Sequence, residues 1–91
     1  MYTDVWASMG EEHLLLSRLE TFAPYRLDAA LLASAPAGAL VMHDLPAHRG
    51  EEITDEVIES SRSVVFDQAE NRVHAQQAVL MLLMGPSAAA Q

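Results

Sequence analysis

Cysteine is absent from the 91 residues. Its absence excludes a disulfide framework and any thiol chemistry. Basic residues are scarce: five Lys+Arg stand against 13 Asp+Glu, a formal net charge of −8. Binding a phosphate backbone needs basic patches, so nucleic acid is not an expected partner. Long apolar runs are missing too. The longest, Ala78 to Met84, falls far short of the about 20 residues that cross a bilayer, so no membrane association is expected. Residues 1–20 carry neither the basic n-region nor the apolar h-region of a signal peptide, and the expected compartment is the cytoplasm. What is present is apolar: hydrophobic residues make up 51% of the chain, which argues against disorder. The length suits one small domain that buries roughly 60–65% of its unfolded surface, a thin core.

Local pattern places the elements. Tyr2-Thr3-Asp4-Val5-Trp6-Ala7 alternates and is rich in strand formers. Ser8-Met9-Gly10-Glu11 has the form of a capping box, predicting a helix with Leu15, Leu19 and Phe22 on one face that ends before Pro24. Tyr25-Arg26-Leu27 reads as a short extended link. Asp28 can cap a helix through Ala29 to Ala33. The apolar run Ala39-Leu40-Val41-Met42 reads as a buried strand ending at His43, and Pro46 closes it because it cannot donate to a ladder. Thr54 or Asp55 opens a short helix carrying Val57 and Ile58. Ser63-Val64-Val65-Phe66 reads as a third strand, and Asp67 with Glu70 as the cap of a final helix, about 68–84. Gly85-Pro86 ends that helix, and residues 87–91 are expected to be a disordered tail.

The order β-α-α-β-α-β-α predicts an α/β fold: part of a doubly wound, Rossmann-like domain over residues 1–86, with about three parallel strands and helical crossovers. Two features predict truncation at the N-terminus. The first strand begins almost at Met1. The last helix is apolar nearly all round from Ala78 to Met84, which expects burial that three strands do not offer. The chain therefore reads as part of a larger domain, or as one that needs a partner.

The stretch from Val41 to Gly50 is the site candidate, because ligands in open α/β sheets sit at the carboxyl ends of strands. By residue type alone, a strand-end histidine such as His43 is more often structural than catalytic. His43, Asp44 and His48 could be read as metal ligands, but no tight His/Cys spacing supports it and no metal is expected. Glu51, Glu52, Asp55, Glu56 and Glu59 read as a solvated acidic face near a helix start.

With the elements placed, three segments resemble the ornithine carbamoyltransferases in order and spacing. Tyr2 to Gly10 resembles their ornithine-binding loop, Asp-x-Trp-x-Ser-Met-Gly. Met42 to Glu52 resembles their His-Cys-Leu-Pro segment. Val65 to Gln76 resembles their Glu-Asn-Arg segment and final helix. The resemblance covers nearly the whole chain and only the C-terminal, ornithine-binding portion of such an enzyme. The carbamoyl-phosphate domain, with its Ser-x-Arg-Thr-Arg and His-Pro-x-Gln segments, has no counterpart in these residues.

The resemblance implies carbamoyl transfer from carbamoyl phosphate to L-ornithine, giving citrulline for arginine synthesis, on a trimer with active sites shared between subunits and without metal or organic cofactor. It gives Asp4 the α-ammonium of ornithine with help from Ser8, and the backbone N–H near Met9 the carboxylate. It gives Arg72 the carbonyl oxygen of carbamoyl phosphate and the Leu45 carbonyl a part in holding the same molecule. Exposed N–H groups at a helix start favour a carboxylate, and a fixed planar cation suits a developing oxyanion. The plainer readings are that Ser8 and Glu11 only cap a helix and that Arg72 lies on a solvated face.

Asp44 departs from the pattern, because the family has Cys there beside the attacking δ-amine. Attack requires a neutral amine. A carboxylate has a reference pKa of about 3.9 against about 8.5 for a thiol. Its charge raises the pKa of a neighbouring amine and repels phosphate. The resemblance thus implies an ornithine site whose transfer chemistry is impaired. The alternatives are a non-catalytic amino-acid-binding or association module, or a broken reading frame without function.

Overall fold

The computed structural model describes residues 1–86. Two short strands, β1 (Tyr2–Thr3) and β2 (Met42–His43), pair in parallel, Tyr2 opposite Met42 and Thr3 opposite His43. Parallel pairing needs a crossover. Here it contains α1 (Leu15–Phe22) and α2 (Ala29–Ser34), with 3-10 turns at Glu12–Leu14 and Ala23–Tyr25. After β2 come α3 (Asp55–Ile58) and α4 (Val65–Met84).

The caps at Asp28 and Thr54 form as their chemistry dictates. Asp28 accepts from Leu31 N–H at 2.9 Å, and Thr54 Oγ1 accepts from Val57 N–H at 3.4 Å. The expected link at 25–27 is tied down: Leu27 N–H donates to the Glu52 carbonyl at 2.9 Å, and Thr54 N–H to the Leu27 carbonyl at 3.1 Å. One core cluster results, containing Leu27, Leu32, Val41, Ile53, Val57, Ile58 and Val65.

Four expectations are corrected. The first strand is confined to Tyr2–Thr3 rather than running to Ala7. The helix expected from the Ser8 cap starts only at Glu12, because Gly10 takes φ +88°, outside the right-handed helical region. Ser8 to Glu11 is instead a tight turn, closed by Glu11 N–H to the Ser8 carbonyl at 2.9 Å. The third strand, expected at 63–66, is reduced to a single parallel bridge between Val41 and Ser63. Val65 already opens α4, so Asp67 lies in its first turn and does not cap it. A carboxylate in a first turn complements the helix dipole without capping, which makes a helix beginning at 65 compatible with the same residues. Fourth, Glu52 is wholly buried, not part of a solvated face.

Beyond its first turn α4 leaves the core. Its residues from Ala69 to Met84 are all exposed, including Val79, Leu80, Met81, Leu82, Leu83 and Met84. The radius of gyration, 17.3 Å, exceeds the about 12 Å of a compact chain this long. Among the described residues, no helix is long and apolar enough to cross a membrane. The expected tail, 87–91, lies outside the described residues.

Candidate functional site

Two loops meet at the carboxyl ends of β1 and β2. The first, residues 4–11, is fastened to α1 by Arg18. Its guanidinium donates to the Trp6 carbonyl at 2.6 Å and to Glu11 Oε2 at 3.2 Å. Glu11 Oε1 accepts from Ser8 N–H at 3.2 Å, the half of the capping box that does form. Bonding to Arg18 first, and to Ser8 second, holds the Glu11 carboxyl below its usual range. Trp6 packs against Phe22 with ring centroids 6.0 Å apart and lies under the Arg26 guanidinium. Asp4 accepts from Val5 N–H at 2.6 Å and remains exposed.

The second loop follows β2 and is built around His43. Its Nδ1 accepts from Leu45 N–H at 2.8 Å, so the ring proton is on Nε2, which donates to Glu52 Oε1 at 2.8 Å. Both side chains are fully buried. Glu52 Oε1 also accepts from His48 N–H at 2.8 Å, and the two bonds fold the loop back on itself. With no third strand beside it, His43 N–H donates to Gln68 Oε1 at 3.1 Å, a side chain standing in for a ladder partner. Gln68 Nε2 in turn donates to the Tyr2 hydroxyl at 3.1 Å. Leu45 sits at φ +57°, a conformation that costs a non-glycine residue energy and is found where the surroundings enforce it. Arg49 closes the loop's far side against Asp55 and Glu59, and its pKa is raised by bonds to Asp55 first and Glu59 second.

Between the loops lies a cleft of about 430 Å³, lined by Asp4, Ser8, Met9, Asp44 and Leu45 among others. A second cleft of about 190 Å³ is lined by Tyr2, Asp44, Gln68, Ala69 and Arg72. Asp44 lines both. The first cleft is lined by three carboxylate residues, Asp4, Glu12 and Asp44, and by no arginine. Its field therefore favours an ammonium group. Asp44 Oδ1 is buried without a hydrogen-bond partner. It lies 3.5 Å from His43 Nδ1, but that nitrogen spends its lone pair on Leu45 N–H, so the two acceptors face one another and form no ion pair.

The fold thus brings Asp4, Ser8, Met9, Asp44 and Leu45 to one cleft. It sets Arg72 in the adjoining one, on the face of α4 that also carries Gln68 one turn earlier. Met9, among the lining residues, is 96% exposed. Glu52, Gln68 and Glu12 were not among the sequence candidates. The spacing of Gln68 and Arg72, i and i+4, was the available signal for Gln68. Glu52 had none, since it stands in an acidic run.

Two short parallel strands, the helical crossover between them and an acidic cleft at the strand ends define an α/β fold. Residues 1–83 match the family described as aspartate/ornithine carbamoyltransferase, Asp/Orn binding domain, and the chain belongs to that family. It is 61% identical over 85 residues to an ornithine carbamoyltransferase of a Synechococcus species, covering 93% of this chain and 28% of the relative. It is 62% identical over 84 residues to that of Methanocorpusculum labreanum, covering 92% of this chain and 28% of the relative. Among solved structures, the ornithine carbamoyltransferase of Pyrococcus furiosus matches with a TM-score of 0.85 at 56% identity, covering 93% of this chain and 27% of that one. That of Gloeobacter violaceus matches with a TM-score of 0.78 at 57% identity, covering 92% of this chain and 26% of that one. The chain thus spans little more than a quarter of the length of these relatives.

Proposed function

We propose that these residues are the C-terminal, ornithine-binding portion of an ornithine carbamoyltransferase, part of a Rossmann-like domain in the intact cytoplasmic enzyme. The intact enzyme would transfer a carbamoyl group from carbamoyl phosphate to L-ornithine and release citrulline. The observation that carries the reading is the single cleft shared by Asp4, Ser8, Met9, Asp44 and Leu45, with Arg72 one cleft away across Asp44. Asp4, with help from Ser8, would take the α-ammonium, and the Met9 backbone N–H the carboxylate end. Arg72 would polarise the carbamoyl oxygen, and the Leu45 carbonyl would hold the amide.

A second reading, binding without transfer, is favoured by Asp44. Its carboxylate would hold the δ-nitrogen as ammonium, which cannot attack, and would repel the phosphate. Titrating L-ornithine into the chain while following amide resonances tests the site. Shifts should centre on Asp4, Ser8, Met9 and Asp44 and vanish in Asp4→Asn. Incubation with carbamoyl phosphate and ornithine should give no citrulline above background. Ornithine-induced shifts confined to other residues would reject the site, and citrulline formation would reject the second reading.

A further inference from the structure

The turn at Gly50 assembles a cluster that the amine-binding groups do not use. Gly50 adopts φ +90°, which only glycine takes without strain. The turn carries Glu51 and Glu52 back to His48, and Glu51 N–H donates to the His48 carbonyl at 2.9 Å. One donor atom from each of His48, Glu51 and Glu52 lies within 4.8 Å of the others. Two oxygens here are buried without any hydrogen-bond partner, Glu51 Oε2 and Glu52 Oε2. Glu52 is fully buried, and its Oε1 is already occupied by His43 and His48 N–H. The His48 ring comes no closer than 3.7 Å to Glu51 Oε2, beyond hydrogen-bond length. Buried carboxylate oxygens without partners are costly, and positive charge is what this cluster lacks.

We propose that His48, Glu51 and Glu52 bind a zinc-class divalent cation at the rim of the cleft. One imidazole nitrogen with two carboxylates suits zinc, whereas magnesium and calcium take oxygen ligands alone. Three protein ligands leave a fourth position open to water. His43, holding Glu52 Oε1, orients the carboxylate while Oε2 is left to ligate. Because His48 also lines the 430 Å³ cleft, the bound ion adds positive charge there and opposes entry of an ammonium ligand. The cluster escapes sequence inspection because His48 and the two glutamates converge only through the Gly50 turn.

Zinc sulfate titrated into the full chain at neutral pH, followed by calorimetry, tests this. One zinc ion should bind per chain. His48→Gln and Glu51→Gln should each weaken binding roughly tenfold or more. His74→Gln should leave it unchanged, which removes the exposed His74–Glu70 pair on α4 as the rival site. Excess magnesium should not compete. In the unmodified chain, zinc should move the His48 ring resonances and spare those of His13 and His74. This last measurement needs no variant to fold. Unmoved His48 resonances, zinc affinity unchanged in His48→Gln, or affinity lost in His74→Gln would each overturn the proposal.

Discussion

Glu52 has no exposed surface, yet its carboxylate accepts from only two groups, the His43 ring and the His48 backbone. Glu52→Ala would leave the His43 Nε2–H and the His48 N–H buried without an acceptor, at about 1–3 kcal/mol for each donor. Glu52→Ala should therefore lose about that much in urea unfolding, enough to unfold a domain with so thin a core. Glu56→Ala, on the exposed side of α3, should stay within about 0.5 kcal/mol. Sequence reasoning saw both residues as one acidic face. Side-chain type cannot distinguish them. Only the Gly50 turn, the His43 tautomer and the bridge from Arg49 to Ile53 send one inward. Asp4, Ser8, Met9, Asp44, Leu45 and Arg72 became candidates because they stand in motifs of fixed spacing. Their gathering into two adjoining clefts follows from the parallel pairing of β1 and β2.

At the scale of elements, caps were more readable than starts and ends. Asp28 and Thr54 present side-chain acceptors immediately before short apolar helices, and both cap as expected. The Ser8 box failed as a helix start because Gly10 adopts a positive φ, a freedom that residue type permits without requiring. The third strand failed because Val64-Val65-Phe66 is equally apolar as helix or strand, and three residues give periodicity nothing to work with. The surviving half of the box predicts a pH signature. Folding lowers the Glu11 pKa below its ordinary 4.5, chiefly through Arg18. The lowered value makes the contribution complete above pH 4.5 and lost as pH falls through the folded value. The melting temperature of Glu11→Gln should thus lie below that of the parent at neutral pH, and the gap should close in acid. The gap should be small, because the pair is exposed. Thermal melts from pH 7 to pH 3 check the sign. Arg62 joins elements more firmly, donating to the carbonyls of Ala39, Leu32 and Pro36. Arg62→Ala should cost about 2 kcal/mol or more, since partly buried carbonyls lose a charged donor together.

At the scale of the whole molecule, α4 dominates. Its apolar stretch from Ala78 to Met84 was recognisable in sequence as wanting burial, and in the fold it stands free of the core. An exposed apolar helix of this length promotes association. The isolated chain should sediment as a concentration-dependent oligomer, and Leu80→Glu with Leu83→Glu should shift it toward monomer without lowering helix content near the core. A single sharp monomer boundary for the parent chain would contradict this.

The central claim is that Asp44 stands at the δ-amine of ornithine and holds it protonated. Residues 1–91 grafted in place of the matching segment of an active ornithine carbamoyltransferase put the claim to its most direct test, by the pH dependence of kcat. Ground-state binding should survive, because an ammonium binds a carboxylate at least as well as a thiol. The free amine is the reactive species, and each unit by which Asp44 raises its pKa costs about 1.4 kcal/mol, tenfold in reactive fraction. The graft should therefore turn over poorly at neutral pH and recover as pH rises. Asp44→Cys should restore much of the rate and reach its plateau at lower pH. Equal rates for the graft and its Asp44→Cys form at neutral pH would mean that the Asp44 carboxylate does not act on the amine.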